Sequence, residues 1–291
     1  NSITDRSGYC GPVIAGVSTN ASSGCMIIPK GPTSYRGNRG RGILAHGYEP
    51  NSVRNIDAIE IASTGNAVDW GDQISNGVGL AGGASNNNRG VYTGGFEGAP
   101  ANGRVTTIQA LTMPTNGNIY DFGDLVGQHQ QMAGASDEVR GVFSSGYNYS
   151  EAPSTDAFEQ VFFELNFATS GIAAGFGDIP ANASSRSMNA IQDPTRGFFC
   201  GGEGTNKSPS TQNRKITEIT FATRGSAVTF GELSGESKGG ASMESHTRAV
   251  VVLGSNASSP EAFKDTIEFF TMATRGNTTD FGNASSNTGA M

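Results

Sequence analysis

The side chains able to do chemistry in this sequence are few and scattered. Its three histidines, His46, His129 and His246, stand far apart in the chain, and none belongs to a metal-ligand spacing, so they read as isolated polar residues. Cys10, Cys25 and Cys200 are odd in number and form no C-x-x-C pair, which argues against zinc and against a disulfide framework. They read as structural thiols, with a Cys10–Cys25 bridge as the other reading. The strings Asp121-Phe122-Gly123 and Asp280-Phe281-Gly282 imitate a kinase motif, but no glycine loop or lysine strand accompanies them. Asp72, Asp124 and Asp178 lack EF-hand or related calcium spacing and are expected to cap turns and keep sheet edges soluble. No metal, cofactor or catalytic set is therefore expected, and the chain reads as non-enzymatic. Two groups remain that could bind. Arg36 and Arg39 lie in a basic stretch suited to docking, and Tyr48, Tyr92, Phe96, Tyr147 and Tyr149 follow Arg-Gly strands, where they could form a sugar-stacking surface.

The elements that must position these residues form a repeat. An Arg-Gly-apolar-apolar phrase closing on glycine occurs as RGILAHG from Arg41, RGVYTGG from Arg89, RGVFSSG from Arg140 and RGFFCGG from Arg196, with RAVVVLG from Arg248 as a looser copy. These arginines are 48, 51, 56 and 52 residues apart. A second phrase, as in NAVDWGD or NIYDFGD, places Trp70, Phe122, Phe176, Phe230 and Phe281 at intervals of 52, 54, 54 and 51 residues. Five copies of one unit thus fill the chain from Arg41 onward.

Before the aromatic phrase, segments such as IDAIEIAST and ITEITFATR alternate apolar and polar residues, the pattern of a half-buried strand. Gly65-Asn66, Gly117-Asn118, Gly225-Ser226 and Gly276-Asn277 then supply the residues expected of a tight hairpin turn. A Gly/Ala/Ser stretch between an aromatic phrase and the next Arg-Gly phrase, as in VGLAGGAS, QMAGAS and GGASM, suits a strand at a crowded centre, and the unit from Arg41 has no such strand just before it. Four short strands per unit of about fifty residues predict an all-β fold, a β-propeller. Five blades are expected, with a C-terminal strand around Gly289-Ala290-Met291 closing the first blade; a six-bladed ring with a degenerate blade over residues 9–40 is the alternative. The 42 glycines among 291 residues then become evidence for rigid packing rather than for disorder.

Charge divides at the same place. Residues 1–42 carry five basic side chains against Asp5 alone, a net +4, whereas the remainder carries 14 basic and 25 acidic side chains, a net −11. Residues 1–40 therefore read as an extended basic arm that docks on an acidic protein neighbour, and residues 41–291 as the propeller. An acidic body disfavours general nucleic-acid binding. The longest purely aliphatic run, Ala249–Leu253, is far too short to cross a membrane as a helix.

The combination of RGVYTGG with a strand ending in ATRGNTTDFGN or ASTGNAVDWGD resembles the kelch-like repeat of virion structural proteins from tailed bacteriophages, marine cyanophages in particular. The likeness covers residues 41–291. Departures are Ala249 in place of glycine in the last unit and Gly175 where other units carry Asp69, Asp121 and Asp280. The resemblance implies a non-enzymatic particle component with no catalytic residues to carry over. It would be displayed on the outer surface of the virion, as a capsid decoration or tail-associated protein, and bound to other virion proteins through its N-terminal arm. A propeller adhesin that attaches to a host-surface glycan is the alternative.

Overall fold

A computed structural model describes residues 19–20, 25–26, 41–45, 54–61, 64–74, 78–79, 81–97, 103–148, 160–204, 212–245, 247–256 and 261–288. They form a five-bladed β-propeller of antiparallel sheets. Blade 1 comprises Arg41–Ala45, Asn55–Glu60 and Val68–Asp72. Blade 2 comprises Gly82–Ser85, Arg89–Thr93, Thr107–Thr112 and Tyr120–Asp124. Blade 3 comprises Gly134–Ser136, Arg140–Ser144, Val161–Asn166 and Ala174–Asp178. Blade 4 comprises Asn189–Gln192, Arg196–Cys200, Lys215–Thr220 and Val228–Glu232. Blade 5 comprises Ala241–Glu244, Arg248–Val252, Lys264–Thr271 and Thr279–Thr288. The strand before each Arg-Gly phrase is innermost in blades 2 to 5, and these inner strands lie side by side from blade 2 to 3, 3 to 4 and 4 to 5. Residues 289–291, expected in the C-terminal strand that closes blade 1, and the arm residues Arg36 and Arg39 lie outside the described residues.

The recurring aromatic has a specific geometric role. In every blade the pairing of the third and outer strands skips one outer residue: Ile56 faces Gly71 while Asp57 faces Asp69, and Ile108 faces Gly123 while Gln109 faces Asp121. Trp70, Phe122, Phe176, Phe230 and Phe281 are thus the extra residues of five β-bulges. The bulge turns the first four rings out of their own sheets and into the next blade. Trp70 packs with Leu111 and Ile119 of blade 2, Phe122 with Phe163 and Leu165 of blade 3, Phe176 with Ile219 and Phe221 of blade 4, and Phe230 with Phe270 and Met272 of blade 5. Among the described residues the hydrophobic core is therefore four separate clusters, one at each junction from blade 1 to blade 5.

A backbone clasp accompanies each cluster. The Gly117 N–H donates to the Trp70 carbonyl and the Ile119 N–H to that of Asp72. Gly171 and Ala173 reach Phe122 and Asp124, Gly225 and Ala227 reach Phe176 and Asp178, and Gly276 and Thr278 reach Phe230 and Glu232, at 2.8–3.1 Å throughout. The Asn118 and Asn277 side chains accept from the Asp72 and Glu232 N–H groups. Gly117, Gly225 and Gly276 are expected from the sequence at the hairpin turns, but the turns close earlier: Thr115 N–H donates to Thr112, Thr169 to Asn166, Thr223 to Thr220 and Thr274 to Thr271. The glycines instead lie along the preceding blade. A Cβ on Gly71 would stand 2.7 Å from the Gly117 carbonyl carbon, and one on Gly123 would overlap the Gly171 carbonyl oxygen, so no larger residue fits behind the aromatic.

The junction between blades 5 and 1 differs. Phe281 is 55 % exposed, against 3–4 % for the other four aromatics, and Ile61 of blade 1 is 68 % exposed, where its counterparts Phe167, Phe221 and Met272 are buried. A Cβ on Gly282 would meet nothing within 4 Å. Among the described residues no clasp joins Gly65 to Phe281.

Candidate functional site

A cavity lies on the propeller axis, at the end where the inner strands begin. It measures about 540 Å³, is open to solvent on one side, and is lined by residues that precede those strands: Ala81, Gln131-Met132, Ser187-Met188 and Gly239-Gly240, together with Lys238, Glu261 and Phe263. Gln131, Ser187 and Gly239 occupy the same place in three consecutive blades, nine residues before Arg140, Arg196 and Arg248. All three have left-handed backbones, with φ of 59°, 52° and 57°. Their peptide groups link around the axis: the Gly239 N–H donates to Ser187 at 3.1 Å and the Ser187 N–H to Gln131 at 2.9 Å.

Beside this rim runs a chain of charges. The Tyr147 ring lies 5.3 Å from the Arg186 guanidinium carbon, and Arg186 Nη2 reaches Glu203 Oε1 at 2.5 Å. Lys238 Nζ stands 3.3 Å from Glu203 Oε2 and 3.5 Å from Glu261 Oε1. The Ser255 hydroxyl donates to Glu261 Oε1 at 2.6 Å, and this bond, outweighing burial and aided by Lys238, holds the Glu261 carboxyl below the usual carboxylate range. Two cations and two carboxylates leave the group neutral. The lining thus offers hydrogen-bond donors and acceptors next to the apolar surfaces of Met132, Met188 and Phe263.

No family model and no curated protein matches this chain. The solved structure of YjhT superposes with a TM-score of 0.70 over 87 % of this chain and 83 % of that one, at 9 % sequence identity. That likeness shows the fold alone.

The residues singled out by type have been distributed to packing. Tyr92 lies in the junction between blades 1 and 2 with its hydroxyl 3.5 Å from the Ile43 carbonyl, and burial pushes its phenol up to about 12. Tyr147 is buried under Arg186, and half-buried Phe96 carries Arg104 at 5.4 Å. These three do not converge on one open surface; Tyr48 and Tyr149 lie outside the described residues, as do His46 and His246. His129 is buried, its Nδ1 2.8 Å from the Ser145 carbonyl oxygen and its ring edge-on to Phe163. Cys200 is fully buried and burial pushes its thiol far up. Among the described residues no three histidine, cysteine or acidic side chains could hold a metal ion, and no helix is long and apolar enough to cross a membrane.

Two of the repeated arginines, Arg140 and Arg196, brace strands through ion pairs. Arg140 and Arg224, from adjacent blades, both meet Glu164, and Arg196 and Arg275 both meet Glu218. Arg196 also donates to Asp193 and to the Met272 carbonyl of blade 5. Arg89 lies over Phe122 and Arg248 over Phe269, while Arg41 pairs through its backbone with Glu60. Sequence reasoning missed two features. One is the turn residue three positions before each arginine: Asn86, Asp137, Asp193 and Ser245 accept from the backbone N–H of Arg89, Arg140, Arg196 and Arg248. The regular spacing was its signal. The other is the left-handed rim, whose signal, glycine, is present only at Gly239.

Proposed function

We propose that this chain is a non-enzymatic structural protein of a tailed-phage particle, displayed on the outer surface and docked on a capsid or tail protein through residues 1–40. The observation that carries this reading is where the repeated groups are used. Bulged aromatics, clasp glycines and bracing arginines join strand to strand and blade to blade, which is what a rigid display module requires. The resemblance of its repeat to phage virion proteins supplies the setting. A segment of net +4 before a body of net −11 supplies a basic handle for an acidic neighbour and gives nucleic acid little to bind on the body.

The test is a virion carrying a chain that lacks residues 1–40. Particles purified from that mutant are expected to lose the propeller, and charge reversal of Arg36 and Arg39 is expected to weaken its retention as salt rises. Full occupancy of the truncated chain on purified particles would refute docking through this segment.

A further inference from the structure

We propose that the axial cavity is a binding site for a neutral, polyhydroxylated ligand of saccharide size, held by the side chains of Gln131 and Ser187. Four observations lead there. First, Gln131 and Ser187 are the two non-glycine residues with positive φ among the described residues, and both line this one cavity. Glycine serves the same backbone position in blade 5 without a steric penalty, so two blades hold a polar side chain at the rim against a conformational cost. Second, the Gln131 side-chain oxygen is buried and has no hydrogen-bond partner among the described residues, so turning the amide toward the cavity to meet a ligand hydroxyl gives up no bond from that oxygen. Third, among the described residues the charges at the cavity cancel: Lys238 stands between Glu203 and Glu261, and Arg186 covers the other oxygen of Glu203. An anion would meet Glu261 and a cation Lys238, so a neutral ligand with many hydroxyls suits the lining best. Fourth, the 47 % exposed Phe263 provides an aromatic face on which the C–H side of a sugar ring packs. The volume falls within the range of small-molecule sites. This site does not depend on the chain being a particle component.

The experiment uses the full chain and saturation-transfer NMR with glucose, galactose, N-acetylglucosamine and maltose, with glucuronate and glucosamine as charged counterparts. Saturable binding of at least one neutral sugar, stronger than that of its charged counterparts, is expected. Gln131→Gly keeps the left-handed backbone, so it should melt at an unchanged or higher temperature while affinity falls at least ~10-fold, the equivalent of ~1.4 kcal/mol. Phe263→Ala, at an exposed position, should also fold and lose affinity. The proposal is overturned if no neutral sugar binds saturably, if a charged counterpart binds more tightly, or if both variants bind within about twofold of the parent.

Discussion

Gly123 and Gly282 form a matched pair that isolates what a clasp contributes. Both follow the bulged aromatic, and both have left-side backbones, with φ of 148° and 137°. Alanine at either position meets the same conformational penalty, about 1–3 kcal/mol. Only at Gly123 does the new methyl run into the next blade, where it would overlap the Gly171 carbonyl oxygen; at Gly282 nothing lies within 4 Å. To relieve the overlap blade 3 must move away from blade 2. The bonds from Gly171 to Phe122 and from Ala173 to Asp124, each 2.9 Å, then lengthen or break, at about 0.5–1.5 kcal/mol apiece. Phe122, 4 % exposed, loses part of the ~1.5–3 kcal/mol of its burial. Gly123→Ala should therefore cost about 2–5 kcal/mol more than Gly282→Ala, a separation of roughly 4–10 °C in melting temperature. Scanning calorimetry of the two variants measures it directly. Equal shifts in both would refute the clasp as a source of stability and leave only the backbone penalty.

Three other outcomes follow from the same contacts. Phe122→Ala should destabilise by about 3–5 kcal/mol and the exposed Phe281→Ala by less than about 1 kcal/mol, compared by denaturant unfolding. For Asp193, burial acts to raise the carboxyl pKa, but hydrogen bonds from Thr195 and Arg196 outweigh it and the net shift is downward. A folded value below the unfolded one of about 3.9 means that this carboxylate stabilises at neutral pH and ceases to as pH falls through the folded value. Asp193→Asn should thus cost about 1 kcal/mol at pH 7 and nothing in the acid limit, read from melting temperature against pH. Cys200, buried with its thiol pushed up, should react with a disulfide reagent only at the rate of unfolding; a fast native reaction would contradict its burial.

The five-fold phase of the chain was legible because Arg-Gly and aromatic-Gly recur at spacings no other architecture explains, and strand type followed from alternation. The function of individual glycines was not. Gly117 looks like a turn residue in sequence, yet the Thr112–Thr115 turn precedes it and its place is set by Trp70 in another blade, a contact 47 residues away. Phe281 matches its four counterparts by period but lies exposed, because burial depends on the neighbouring blade and not on the repeat. The rim of the axial cavity was the least legible part. A left-handed backbone is announced by glycine, and at Gln131 and Ser187 the announcing residue has been replaced.

Four clasps joining five blades make this ring, over its described residues, equivalent to a linear array with two ends. In such an array each unit's resistance to opening depends on how many neighbours it touches. Blades 1 and 5 each have one clasped neighbour, whereas blade 3 is held on both sides through Phe122 and Phe176. Local opening should therefore begin at Ile61 and Phe281 and travel inward, so that amide exchange slows from either end toward Val142 and Phe162. A closed circle of identical units would have no preferred starting point; here the single unlike junction gives the molecule a direction in which to come apart.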